Sequence, residues 1–472
     1  MSEAEVQGGA ACARADGGKS AGGMTRRRVV AGAGLAMAAP AVLAACGAPG
    51  ATSGGAPKAA NLSGPLTYMD WRLGGSPLDE QFYKTVKDGF MAKNPNVKVE
   101  QLQTDFGTPY LEKIVSLTAG GTPPDVIFSS IIWGRDLWSD GLLEDLGPYI
   151  AKTPSVAPTQ YVDAAHYYDS WKGKTFGIPH VGPDFNVFYV TRGLLNEVGI
   201  ASTDDALAKW SWDDLVAAHP KLVRRGPDGK LTRPGVIYNP GVNITNFVVL
   251  LTSDGGSFYN KDRNGVAFND AKGREVLQFK YDLHNKYKTD EALPAGTDLY
   301  NKAFPEGGVP IMFAGSWNQR NFLSNPAAEK LDYTMINIPR GPSGSKQATV
   351  AWTNMNVMSK TGKNKDAAWA FVEYYSSLPV AVQQFQIWKQ VSPRKDFLES
   401  AEWKEAARKY PSYTNFRKIA DTGGIYPYIK FNDISNALLP IVKDAAIEGK
   451  RSVSDAIGEM ERLANQILAT VK

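Results

Sequence analysis

Hydrophobic and polar positions alternate in short blocks whose period changes along the chain. From residue 64, "GPLTYMDWR" predicts an apolar strand that closes on Asp70, Trp71 and Arg72. The following segment spaces Phe82, Val86 and Phe90 at helical intervals, breaks at Asn94 and Pro95, and resumes as an alternating strand through Val97 and Val99. Strand, helix, strand is the building unit of a parallel sheet. "TPYLEKIVSLTAGG" predicts a second helix, and "PPDVIFSS" a short buried strand after a double-proline turn. Its carboxyl end opens on "IIWGRDLWSDG", and ligands of open α/β sheets sit at such ends.

The pattern continues with two extended runs and a helix start in "WKGKTFGIPHVGPDFNVFYVTRGLLNEVGI" (171–200), and with amphipathic helices in "WSWDDLVAAHPKLV" and "REVLQFKYDLHNKYK". "VPIMFAGSWNQR" (309–320) is an apolar run that stops at a small-residue turn and then presents Trp317. Beyond it come the extended "LDYTMINIPRGPSG", the strand, loop and long helix of "ATVAWTNMNVMSKTGKNKDAAWAFVEYYSSL", and two terminal helices. The fold class expected is α/β. No internal repeat interrupts the series.

The amino terminus follows a different rule. "MTRRRVVAGAGLAMAAPAVLAACG" (24–47) places three arginines before an uncharged stretch and a cysteine, the layout of a signal peptide within residues 1–45. Arg26 and Arg27 match the twin-arginine export signal, which this segment resembles, with Val29 where that pattern usually has Phe. "LAAC" resembles a bacterial lipobox, which implies acylation of Cys46 and a lipid anchor holding the protein to the outer face of the membrane. Residues 46–61 supply a flexible Gly/Ala/Pro/Ser tether, and residues 1–23 form an extension upstream of a signal that is complete from Met24.

Composition narrows the chemistry. At 472 residues and 43% hydrophobic content the chain can bury two cores. Lys and Arg number 52 against 48 Asp and Glu, with no basic block beyond the leader, so nucleic acid is not an expected partner. Both cysteines, Cys12 and Cys46, precede the folded part, which excludes disulfides, thiolate nucleophiles and Cys-based metal sites there. His166, His180, His219 and His284 lie too far apart for zinc spacing, so no metal or cofactor is expected. "GPSGS" (341–345) lacks the nucleophile-elbow spacing, and "GGKS" (17–20) lacks the first glycine of a phosphate loop.

The stretches "AGGTPPDVIF", "GLLEDLGPYI", "WKGKTFGIPHV…VFYVTRGLLNEVGI", "WSWDDL", "VPIMFAGSW" and "KNKDAAWAFVEYYSS" resemble the extracellular solute-binding proteins of ABC sugar importers, the group that includes maltose-binding protein. The likeness runs from residue 62 to the end. It implies a two-lobed clamp, each lobe a mainly parallel sheet flanked by helices, with residues 62–183 and 338–378 in the N-terminal lobe and 184–337 and 379–472 in the C-terminal one. It also implies a monomer that closes on a mono- or oligosaccharide and docks on the transmembrane subunits of a permease.

A sugar needs polar partners for its hydroxyls and an aromatic face for its C–H patches. Five mixed clusters at predicted strand ends offer both: Asp70, Trp71 and Arg72; Trp133 with Arg135; Asp184, Phe185 and Asn186; Ser316, Trp317 and Asn318; Trp352 with Asn354. Each also admits a plainer reading, in which the ring covers the core and its neighbour caps a helix. Trp317 and Trp352 match landmarks that the resemblance places in the cleft, and Tyr426 is a further candidate from a late loop. Trp171, Trp210, Trp212, Trp369, Trp388 and Trp403 lie in or beside predicted helices and are expected to pack. His180 is expected as a polar cleft or hinge residue rather than a base, and Arg320 is left facing solvent. Arg72 and Arg135 could fork an anionic ligand, but Asp70 and Asp184 compete for them, which favours a neutral sugar. The expected function is carbohydrate capture for an ABC importer. The alternatives are a secreted carbohydrate-active hydrolase, whose paired carboxyls sequence does not exclude, or a binding protein for a polyol or sugar phosphate.

Overall fold

The computed structural model describes residues 62–73, 76–238, 244–291, 293 and 296–471. The leader, Arg26, Arg27, Cys46 and the tether lie outside the described residues.

The first five elements follow the sequence pattern. Strand β1 (Gly64–Met69) leads to helix α1 (Pro77–Lys93), strand β2 (Val97–Leu102), helix α2 (Thr108–Ala119) and strand β3 (Val126–Ser129). Ser76 caps α1 by accepting from the Asp79 amide, and Pro77 occupies the first turn, where its missing N–H costs nothing. Phe82, Val86 and Phe90 then fall on one buried stripe, and Phe90 meets Phe371 of the helix Lys365–Tyr375 edge-on at 5.1 Å. β1 pairs in parallel with both β2 and β3.

The stretch after β3 is a helix, α3 (Ile131–Ser139), started by the side chain of Ser130. Expected as an open strand end carrying a site, it instead turns Trp133 and Arg135 inward.

Four more strands, with two short ones, join the sheet: β4 (Gly177–Thr191), β5 (Ile311–Gly315), β6 (Tyr333–Ile336) and β7 (Val350–Met358). The order is β2-β1-β3-β7-β4-β5, with the short strand Val236–Ile237 beyond β5, β6 also on β4, and Gly424–Ile425 on β7. Parallel pairing holds in β2-β1-β3, whereas β7 is antiparallel to β3 and β4, and β5 and β6 are antiparallel to β4. The sheet is therefore mixed, with helices against it.

β4 has every one of its 15 residues buried. Residues 177–185 pair with β7, ending at Phe185 opposite Ala351, and from Asn186 onward the strand pairs with β5 and then β6. Burial on both faces explains why its later part is an almost unbroken apolar run. Gly182 (φ +124°) lies close against β7, since a Cβ there would stand 2.8 Å from the Trp352 carbonyl oxygen. The pairing slips on either side of Asn354, beside this contact.

Candidate functional site

Period-two geometry decides which residues of β4 and β7 share a face. Asp184 and Asn186 point one way and Phe185 the other, into a core where its ring lies 4.8 Å from Phe416. Trp352 sits opposite Asp184 in the register, so their side chains emerge on the same side, and Asn354 follows two residues on. The Asn354 amide donates to Asp184 Oδ2 at 3.4 Å, and the Ser316 hydroxyl to Asp184 Oδ1 at 3.2 Å. Ser316 Oγ in turn accepts the Phe185 amide at 3.2 Å, tying the loop after β5 to the point where β4 changes partners.

Trp317, half-buried, follows at once. Its indole folds back over Gly315, where a Cβ would lie 2.2 Å from Cζ2 of the ring. The small residue in "AGSW" is thus what lets the ring lie where it does. Trp317 is 5.6 Å from Trp352, and Trp352 is 4.9 Å from Tyr426, each pair tilted by 56°. The Tyr426 amide donates to the Tyr168 hydroxyl at 2.7 Å, and that hydroxyl donates to the Ala351 carbonyl at 2.6 Å, which fixes the late loop to β7. Tyr426 Oη and Thr245 Oγ1 are 2.6 Å apart. The result is a corner of three half- to fully buried rings beside one carboxylate. Replacing Gly315 by Ala is expected to push the indole off its position, a repacking cost of about 1–3 kcal/mol that falls on the ring. Altered tryptophan fluorescence with a melt that stays cooperative but moves to lower temperature would show this.

Burial lifts the Asp184 carboxyl from 3.8 to about 6, opposed first by the Ser316 hydrogen bond and then by the charges of Arg320 and Arg72. Because the folded state holds this proton more tightly than the unfolded one, Asp184 lowers stability as pH rises from about 4 to about 6, and its full cost is present above that range. Thermal melts of Asp184→Asn are expected to lack this part of the pH dependence, seen as the difference from the native chain.

The other candidates lie elsewhere. Asp70 is wholly buried, and its carboxylate accepts from the Arg72 amide (2.8 Å), Nε (3.0 Å) and NH2 (2.7 Å) and from the Tyr68 hydroxyl (2.9 Å). The Arg72 guanidinium lies 3.4 Å from the Phe128 ring centre and 4.4 Å from that of Trp388. These two residues satisfy each other, and the Asp70 oxygens have no capacity left for a sugar hydroxyl. Trp71 is packed among Phe128, Tyr110, Phe106 and Trp133. Trp133 is 1% exposed and belongs to the same ring cluster, and Arg135, also buried, bonds Asp136 at 3.2 Å and covers Trp171. The structure thus places Phe185 and Trp133 in packed ring clusters and Asp70 and Arg72 in a mutual ion pair. His180 is buried edge-on to Tyr375 at 4.2 Å, and burial holds it well below its usual pKa, as a neutral core ring.

Of the tryptophans expected to pack, Trp210, Trp212, Trp388 and Trp403 are buried, and Trp171 and Trp369 half-buried. Arg320 does not face open solvent: its NH1 donates to Asp79 Oδ1 of α1 at 3.2 Å, and its guanidinium lies 5.3 Å from the Trp388 ring. Tyr168 and Thr245, both bonded to Tyr426, are neighbours of the corner that sequence reasoning did not bring forward, because these partners are remote in sequence. Among the described residues no group of three or more His, Cys, Asp or Glu could hold a metal, and no helix is long and apolar enough to cross a membrane.

Comparison with known proteins places this geometry in a family. Residues 75–381 match the model of the bacterial extracellular solute-binding proteins, and the chain belongs to that family. One curated relative is an arabinooligosaccharide-binding protein of Halalkalibacterium halodurans, 28% identical over 170 residues, which are 35% of each chain. The match thus spans about a third of that relative. A second, an uncharacterized lipoprotein in the oleD 5' region of Streptomyces antibioticus, is 24% identical over 67% of this chain and 68% of its own length. Among solved structures, the GacH receptor of Streptomyces glaucescens GLA.O, studied unliganded and with acarbose and an acarbose homolog, shares the fold at a TM-score of 0.71 and 21% identity, covering 87% of this chain and 100% of that one.

Proposed function

We propose that this chain captures a saccharide for an ABC importer, holding it at the corner formed by Trp317, Trp352, Tyr426, Asp184, Asn186 and Asn354. The observation that carries this reading is the joining of indole faces to buried polar groups on one side of β4 and β7. Indole faces suit the C–H patches of a sugar, and Asp184 and the two amides suit its hydroxyls. The family supplies the solute-binding role, and the arabinooligosaccharide-binding relative and the acarbose complexes of the GacH receptor favour a carbohydrate as the solute.

The clamp comprises residues 62–183 and 338–378 as one lobe and 184–337 and 379–472 as the other. The change of β4 partners between Phe185 and Asn186 supports a boundary at that point. Closure on ligand presents a surface to the transmembrane permease. Export through the leader and acylation of Cys46, in keeping with a relative described as a lipoprotein, would hold a monomer at the outer face of the membrane.

Mixing the mature protein with a panel of neutral mono- and oligosaccharides tests this. The expected result is a higher melting temperature with at least one sugar, recovered chemically intact. Turnover of any sugar would assign a hydrolase instead, and no shift with any member would remove the saccharide.

A further inference from the structure

The charges around the corner are not balanced, and the imbalance falls on one residue. Arg72 is held bidentately by Asp70 at 3.0 and 2.7 Å, and Arg320 is bonded to Asp79 at 3.2 Å. Asp184, only 6% exposed, has no such partner: its neighbours are the neutral donors Ser316 and Asn354, at 3.2 and 3.4 Å. Two residues along the same face, the buried Asn186 side-chain oxygen has no hydrogen-bond partner. Asp184 is thus the charged group of this face that no ionic partner holds, the unpartnered Asn186 oxygen lies two residues along, and the rings of Trp317 and Trp352 stand beside them.

We infer that the corner selects a saccharide bearing an ammonium group, with Asp184 as the residue that sets this preference. The inference rests on the saccharide reading above and names the class of sugar. An ammonium offers donors together with a full positive charge, which the Asp184 carboxylate and the unpartnered Asn186 oxygen can accept. It also neutralises a desolvated carboxylate, which a hydroxyl cannot do, and an indole face attracts a cation where it has nothing for an anion. A sugar phosphate or uronate brings further acceptors and negative charge to Asp184, while the arginines within reach already hold aspartates. Arg72, in the turn after β1, and Arg320, in the short helix after Trp317, offset only part of the burial that lifts the Asp184 carboxyl to about 6, which still leaves it mostly ionised at pH 7.

Titration calorimetry at pH 7 with matched probes tests the inference. The probes are glucosamine, galactosamine and mannosamine beside their parent hexoses, glucosamine dimer and trimer beside cellobiose, cellotriose and the fully N-acetylated forms, and glucose 6-phosphate. The expected result is that at least one amino form binds tenfold or more tightly than both its hydroxyl and its N-acetyl counterpart, with no heat from the phosphate. In Asp184→Asn the ratio of amino to neutral affinity is expected to collapse towards one, whichever way the separate affinities move. Should that variant lose its cooperative melt, the comparison of amino with N-acetyl forms in the native chain still decides the matter. Equal or tighter binding of neutral or phosphorylated forms, or a preference that survives in a folded Asp184→Asn, overturns the inference. A protein that binds neutral sugars and no amino form sinks this inference alone, and one that binds no saccharide sinks the proposed function with it.

Discussion

Trp317→Ala is expected to weaken saccharide binding by about 30-fold or more, the effect of removing about 2 kcal/mol of contact from a central aromatic anchor. The ring is half-buried, lies over Gly315 and touches Trp352, so the variant loses a surface rather than a core side chain. Its melt should stay cooperative, within a few degrees of the native protein. Calorimetry against the best sugar of the panel, run beside differential scanning calorimetry, separates the two effects. A variant that binds normally would move the sugar off this ring, and one that melts without cooperativity would make Trp317 a core residue.

Asp70→Ala is expected to do the opposite. The carboxylate accepts four hydrogen bonds and the Arg72 side chain is 9% exposed, so its removal leaves a guanidinium buried without a counter-charge among Phe128, Tyr83 and Trp388. Breaking one side of a buried pair costs about 3–5 kcal/mol. Urea denaturation should show a midpoint lowered to match, and the double change Asp70→Ala with Arg72→Met should recover much of the loss, since the charge is then gone as well. A variant of native stability that has lost sugar binding would return Asp70 to the binding site.

These two residues show where sequence is informative. The order β1, α1, β2, α2, β3 was legible because each element carries its own period, cap or break: Ser76 and Pro77 at one end of α1, Asn94 and Pro95 at the other. Trp317 and Trp352 were legible as a pair because each ends or lies on a strand with polar neighbours. Alternation alone separates Phe185 from Asp184 and Asn186, since three consecutive residues of a strand cannot share a face. Trp133 follows the strand end that the pattern predicts, but Ser130 starts a helix there and turns the ring inward, which the pattern does not show. The pairing of Asp70 with Arg72 depends on a tight turn, and the bonds of Arg320 to Asp79 and of Tyr168 to Tyr426 join residues 241 and 258 positions apart. No local pattern encodes contacts of that range.

Strand β7, which divides β3 from β4, is made long after both. While the ribosome is still working through residues 200 to 349, the two earlier strands stand with open hydrogen-bonding edges, and their apolar faces have no central strand to unite them. A nascent or truncated chain of that length is a template for intermolecular pairing. Production of this protein should therefore be limited by what shields the unfinished chain, and a premature stop before Val350 should yield aggregate rather than a smaller folded product.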